Sequence, residues 1–273
     1  MTRCVYIASS EWQVSKSAVA LGVLELFARQ VRSVGFFRPL VQSLQEDGIT
    51  TALLATNTLR HQSFEDSVGV SYEDWANDPD AAIDTIVAKY SALAERFEAI
   101  VIVGSDFDDL TYGTELDHNA LIAANLNAPV LYVCRASERS IDEVCRMAEE
   151  SIEAFEARHN TVVGIIATRA EPEISEELSS ALREVRDVPV SVLSANPVLD
   201  APSVGQHFEA VDATLWRGKP ESLNREALTT IIAGMSLPNL LPRLQKEATV
   251  SICCPHSSWR TVPPPTVLWR RCC

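Results

Sequence analysis

The sequence predicts an α/β fold, a doubly wound and mostly parallel sheet with helices on both faces. Three observations carry this. Short runs rich in valine and isoleucine recur along the chain, mostly unbroken rather than alternating, as expected of strands buried on both faces. Longer amphipathic stretches separate them, so strand and helix alternate as in sheets wound by right-handed crossovers. The first run passes through a polar loop into a helix, and sheets of this kind bind ligands at the carboxyl ends of their strands.

In chain order, "CVYIA" (4–8) is the first strand and "KSAVALGVLELFARQV" the first helix, beginning at Lys16. "SVGFF" (33–37) and "AIVIV" (99–103) are further strands. Before the second of these, "DAAIDTIVAKYSALAERF" sets Ile83, Ile86, Val87, Tyr90, Leu93 and Ala94 along one helical stripe. "PVLYVC" (129–134) leads to "SIDEVCRMAEESIEAFEARH", whose first serine is a natural cap followed by acids in the first turn. "VVGIIA" (162–167) leads to the helix "EISEELSSALREV", and "VPVSVL" (188–193) is the sixth strand.

The loop "ASSEWQVSKS" (8–17) stands where a phosphate-binding loop belongs. The pattern G-x-x-x-x-G-K-[ST] curves successive backbone N–H groups into an anion nest at a helix N-terminus. Lys16 and Ser17 hold the lysine and hydroxyl positions, while Ser10 and Ser15 hold both glycine positions. Glycine adopts the positive φ of that curve cheaply and serine does not. Trp12 crowds the middle of the loop. Ser10, Ser15, Lys16 and Ser17 are thus candidates for a degenerate anion or nucleotide site, with weak binding of a magnesium nucleotide as its cofactor chemistry. The plainer reading makes Lys16 and Ser17 the start of a surface helix capped by Ser15.

Other strand ends offer less. Ser17, Asp106 and Asp108 are weak metal candidates, since "GSDFDD" sets acids beyond the third strand, where a solvated loop is the competing reading. His118 near the next helix start reads as a surface residue. No Gly-x-Ser-x-Gly, Cys-x-x-Cys or His-Glu-x-x-His pattern occurs, so no metal site is assigned.

The bulk composition narrows the partners. With 273 residues, 47% hydrophobic and 22% charged, the chain can bury a full core. Its formal net charge of −14 repels nucleic acid and anionic membrane. No apolar run is long enough to span a bilayer and no signal peptide is read, so a cytoplasmic location is expected. Cys4, Cys134 and Cys145 lie on or beside apolar segments and read as free thiols.

Composition breaks near the end. Residues 251–273, "SICCPHSSWRTVPPPTVLWRRCC", carry no acid and two adjacent cysteine pairs, a poor spacing for zinc. The expected organisation is a degenerate phosphate-loop domain over 1–215, the start of a second domain over 216–250, and an aberrant or disordered tail, out of frame, over 251–273. Ile231, Ile232, Leu237 and Leu240 then lack their sheet partners.

Taken together, the segments resemble a known family. "CVYIASSEWQVSKSAVALGVLELFARQVRSVGFFRPLVQS" looks like the opening of the dethiobiotin-synthetase-like P-loop domain of long-form bacterial phosphate acetyltransferases. "IVIVGSDFDDLTYGTELDHNALIAANLNAPVLYVC", "VVGIIATRAEP" and "VPVSVLSANPVLDAPSVGQ" follow in the same order. "TLWRGKPESLNREALTTIIAGMSLPNLLPRL" resembles the start of the DRTGG-type middle domain. The resemblance covers about residues 3–250 and implies a P-loop NTPase-like fold. It implies a parent enzyme that converts acetyl-CoA and phosphate to acetyl phosphate and CoA in a C-terminal domain outside this chain. This part would serve regulation by an anionic metabolite and assembly of a homo-oligomer. Against true dethiobiotin synthetases, the glycines of the loop are lost, Val103-Gly104 replaces a Glu-Gly pair, and Thr168-Arg169 stands where adenine is read. Lys16, Ser17 and Arg38 keep compatible chemistry, which leaves an ATP-dependent ligase or a weak nucleotide-binding module as the alternative.

Overall fold

The computed structural model describes residues 3–11, 14–59, 61–105, 112–210, 213–217, 219–232, 236, 238–239, 242, 250–254 and 268–271. Its contacts divide the chain into two units, Met1–Ala195 and Asn196–Cys273; the sequence reading draws its first boundary at residue 215.

The first unit is β1 (Arg3–Ala8), α1 (Lys16–Ala28), β2 (Val34–Val41), α2 (Gly48–Leu54), α3 (Phe64–Ser67), β3 (Val68–Ser71), α4 (Tyr72–Asn77), α5 (Pro79–Ala94), β4 (Ala99–Val103), α6 (Tyr112–Asn125), β5 (Val130–Arg135), α7 (Ile141–Ala157), β6 (Val162–Ala170), α8 (Ser175–Val185) and β7 (Val190–Ser194). The strands form one seven-stranded sheet in the order β3-β2-β4-β1-β5-β6-β7. Every pairing in it is parallel. The α/β doubly wound class read from sequence is the fold observed.

Period-two alternation divides each central strand between two cores. Tyr6, Ala8, Ile100, Ile102, Tyr132 and Cys134 face one core, closed by α5 to α8 through Ile86, Leu116, Ile152 and Leu182. Val5, Ile7, Val101, Val103 and Val133 face the other, closed by α1 and α2 through Val19, Leu24 and Leu53. Both faces being covered is why the runs read as unbroken hydrophobic sequence. Along the α5 stripe, Ile86 and Leu93 are buried, and Ile83, Val87, Tyr90 and Ala94 pack against the core.

Local chemistry starts the helices where expected. Ser140 and Glu143 form a reciprocal capping box at α7, and Ser71 with Asp74 does the same at α4. β3 is the strand the sequence reading missed. It has only four residues and lies between two short helices, so it shows no periodicity. Its close pairing with β2 depends on Gly69, where a Cβ would fall 2.1 Å from the Pro39 carbonyl oxygen.

The second unit holds α9 (Pro197–Asp200), α10 (Val204–Ala210), β8 (Ala213–Arg217), β9 (Thr229–Ile232), β10 (Val250–Cys254) and β11 (Leu268–Arg271). Its four strands run in the order β8-β11-β10-β9. Ile231 and Ile232 pair in register with Ile252 and Cys253, so these two have strand partners, contrary to the sequence expectation. The structure places β11, and β10 apart from its first residue, inside the stretch read as a tail. Leu237 and Leu240 lie outside the described residues.

Two glycine substitutions are expected to act in opposite directions. Around Gly22, inside α1, nothing lies within 4 Å of an added Cβ, so Gly22→Ala stabilises by about 0.5–1 kcal/mol. Gly69→Ala forces backbone apart and costs about 1–3 kcal/mol. Urea unfolding of the two variants against wild type measures both.

Candidate functional site

β1, the central strand, opens into the loop that ends at α1, and the carboxyl ends of β4 and β5 flank it. The second glycine position keeps a left-handed backbone without glycine. Ser15 adopts φ 62° and ψ 33°, the left-handed region, and makes no side-chain cap to α1, contrary to the capping role expected for it. Only its carbonyl engages the helix, accepting from the Val19 N–H at 3.1 Å.

The groups that would meet a phosphate are turned onto the protein. Lys16 is 2% exposed, and its Nζ donates to the Ser105 carbonyl at 2.6 Å. Ser10 is buried, and its hydroxyl shares a 2.8 Å hydrogen bond with that of Tyr132. Tyr132 in turn donates to Ser151 on α7. The Thr168 hydroxyl bonds the Val14 carbonyl at 3.0 Å and the Cys134 carbonyl at 3.2 Å, tying the loop to β5 and β6. Ser17 is half-buried in the first turn of α1.

Arg38 and Arg169 stand apart from these. Arg38, on β2, is buried. It donates through Nε to Asp47 and through Nη1 to the Gly104 carbonyl, each at 3.1 Å. Asp47 also caps α2 through the Thr50 N–H. Arg169 has φ 57°, where the β6–β7 register shifts between Ala167 and Ala170. Asp106 and Asp108, with Asp109 and Trp12, lie outside the described residues. Among the described residues no cluster of His, Cys, Asp and Glu is arranged to hold a metal ion.

Sequence reasoning missed the residues that close the site. The Asn119 side chain accepts from the Ser105 N–H at 3.0 Å and from the Tyr6 hydroxyl at 2.8 Å. It donates to the Ser105 and Glu115 carbonyls. Gly104 is required beside it, since a Cβ there would lie 2.2 Å from Asn119 Oδ1. Tyr72 donates to Glu115 at 2.8 Å. Burial, then the Glu115 charge, push both the Tyr6 and Tyr72 hydroxyls well above the ordinary phenol range. The signal for Asn119 was a polar residue directly before the apolar stretch "ALIAANL" (120–126), on the same helix.

Glu11 is the second omission. Its carboxylate accepts from the Arg139 guanidinium on both oxygens, each at 2.7 Å, and from the Arg135 N–H at 3.1 Å. The hydrogen bond to Glu11 holds Arg139 above its ordinary value. An acid inside a degenerate phosphate loop was the legible clue. The thiol of Cys134 is pushed up to about 12 by burial, so it is no nucleophile.

An AAA domain family model matches residues 3–203. The phosphate acetyltransferase of Synechocystis (strain PCC 6803) is 29% identical over 193 residues, which is 67% of this chain and 27% of that protein. The phosphate acetyltransferase of Nitratidesulfovibrio vulgaris (strain Hildenborough) is 28% identical over 270 residues, which is 92% of this chain and 37% of that protein. The chain therefore spans about a third of the length of the curated relatives it matches. Among solved structures, the MinC:MinD cell division protein complex of Aquifex aeolicus matches at 12% identity with a TM-score of 0.48, covering 73% of this chain and 84% of that one.

Two outcomes are expected. Lys16→Met leaves the Ser105 carbonyl short of a buried donor and lowers the unfolding free energy by about 1–3 kcal/mol, read by urea denaturation. His118, its ring tilted 57° against Trp75 with centroids 5.0 Å apart, is held below its ordinary value of 6.5, chiefly by burial. Its stabilising effect is complete above that value and declines as the pH falls below it. The denaturation midpoint should drop as the pH falls below about 6.5, less steeply in His118→Gln.

Proposed function

Because the chain belongs to the AAA domain family, matched over residues 3–203, we propose that it is the non-catalytic N-terminal region of a cytoplasmic phosphate acetyltransferase, serving regulation and subunit assembly. In this reading acetyl transfer from acetyl-CoA to phosphate belongs to parts of the enzyme that the chain does not match. One observation carries it: the lysine of the phosphate-loop position is buried on the Ser105 carbonyl, at 2.6 Å, so its charge serves the fold. Leu21 and Leu26, 39% and 55% exposed on α1, support the assembly role.

The left-handed backbone at Ser15 favours a second reading, a weak binder of a magnesium nucleotide or small anion through Lys16 and Ser17. Calorimetry with Mg-ATP separates the two. The regulatory reading expects no binding, whereas the second expects measurable affinity that Lys16→Ala removes. The chain by itself is expected to form no acetyl phosphate from acetyl-CoA and phosphate in a coupled CoA-release assay; turnover there overturns the first reading. Light scattering should find more than one subunit per particle, with Leu26→Glu shifting it toward monomer.

A further inference from the structure

Glu11 makes an unusual use of the loop. From the segment where a phosphate loop would present N–H donors, it extends a carboxylate to a backbone N–H and a guanidinium 124 and 128 residues later in the chain. Those donors belong to the carboxyl end of β5 and the turn before α7. The Arg139 guanidinium grips both carboxylate oxygens as a fork, with side-chain exposures of 21% for Arg139 and 10% for Glu11. Arg139 is itself braced on the Arg135 carbonyl at 3.2 Å. An anion of similar shape from outside would find the same donors in the same directions.

The adjoining cation is not fully used. Arg135 pairs in register with Thr168, whose hydroxyl holds the loop. Among the described residues, its buried Nε has no hydrogen-bond partner. Buried charged donors are ordinarily satisfied, and one that is not points to a group yet to arrive. In a chain of net charge −14, a small anion meets repulsion except where cations are gathered in this way. The place is the carboxyl edge of a doubly wound sheet, where ligands bind.

We infer that Glu11 occupies, from within the chain, a seat for the oxyanion of a small ligand formed by the Arg139 guanidinium and the Arg135 N–H, and that such a ligand binds by displacing Glu11. The seat uses the β5 end rather than the curve at Ser15. The inference deepens the regulatory reading above and rests on it: the loop segment is the element released when Glu11 leaves. Both a carboxylate and a phosphate suit the fork, and the test separates them.

The test is calorimetric titration of the full chain with inorganic phosphate and, separately, with acetate. A seat filled by Glu11 nine-tenths of the time or more weakens apparent binding by about tenfold or more. Glu11→Ala is therefore expected to bind at least one probe about tenfold more tightly than wild type. Glu11→Gln, which keeps the shape and loses the charge, should move the same way. Adding Arg139→Gln to Glu11→Ala should abolish the gain. Tightening for phosphate alone assigns the seat to phosphorylated ligands, and for acetate alone to carboxylates. Equal affinities in wild type and both Glu11 variants, no binding in any of them, or a gain that survives loss of Arg139 overturns the inference. Acetyl transfer by the chain would instead overturn the functional reading and leave this comparison standing.

Discussion

A buried lysine has to find an acceptor, and the arrangement of this molecule's working edge follows from where Lys16 finds one. Its partner is the Ser105 carbonyl, just past the end of β4. Asn119 holds the N–H and the carbonyl of the same residue and receives the Tyr6 hydroxyl from β1. The preceding carbonyl, of Gly104, takes Arg38 from β2. One short stretch of backbone thus fixes β1, β2, β4, α1 and α6 relative to one another.

The fold was legible because burial on both faces leaves a strong mark: unbroken Val and Ile in β1, β4, β5 and β6 and a wide apolar stripe on α5. The capped start of α7 was equally readable, since Ser140 and Glu143 satisfy each other locally. β3 was not, because four residues carry no period and its existence depends on a tertiary contact, the approach of Gly69 to Pro39. The site was legible only in outline. Lys16, Ser10 and Thr168 do converge on the loop, but through hydrogen bonds to Ser105, Tyr132 and Val14 that span long stretches of chain. Asn119, Glu11 and Arg139 escaped because nothing local announces a partner more than a hundred residues away, or on another element.

Two kinds of charge coexist at this edge. Lys16 and Arg38 are spent on backbone carbonyls and on Asp47, where they hold strands in place. Arg139 is spent on a side chain of the loop itself, which is a reversible kind of contact, since a carboxylate can be exchanged for another anion while a backbone carbonyl cannot leave. Burial marks the difference. Lys16 is 2% exposed, and Arg139 keeps a fifth of its side chain in water. The first pair is architecture and the second is accessible to exchange.

The distances along the chain have a consequence for synthesis. The loop after β1 is held by partners 89, 122, 128 and 154 residues downstream, at Ser105, Tyr132, Arg139 and Thr168. It leaves the ribosome well before these partners do, so the contacts that tie it to β5, β6 and the end of β4 form only after most of the first unit has been made. At ordinary elongation rates of about 5–20 residues per second, that leaves the newborn loop and the apolar strand before it waiting for several seconds or longer. Contacts this remote also slow the search for the native arrangement. A segment made so long before its partners is therefore late to acquire its form, and the interval is a window in which other factors in the cell can meet it first.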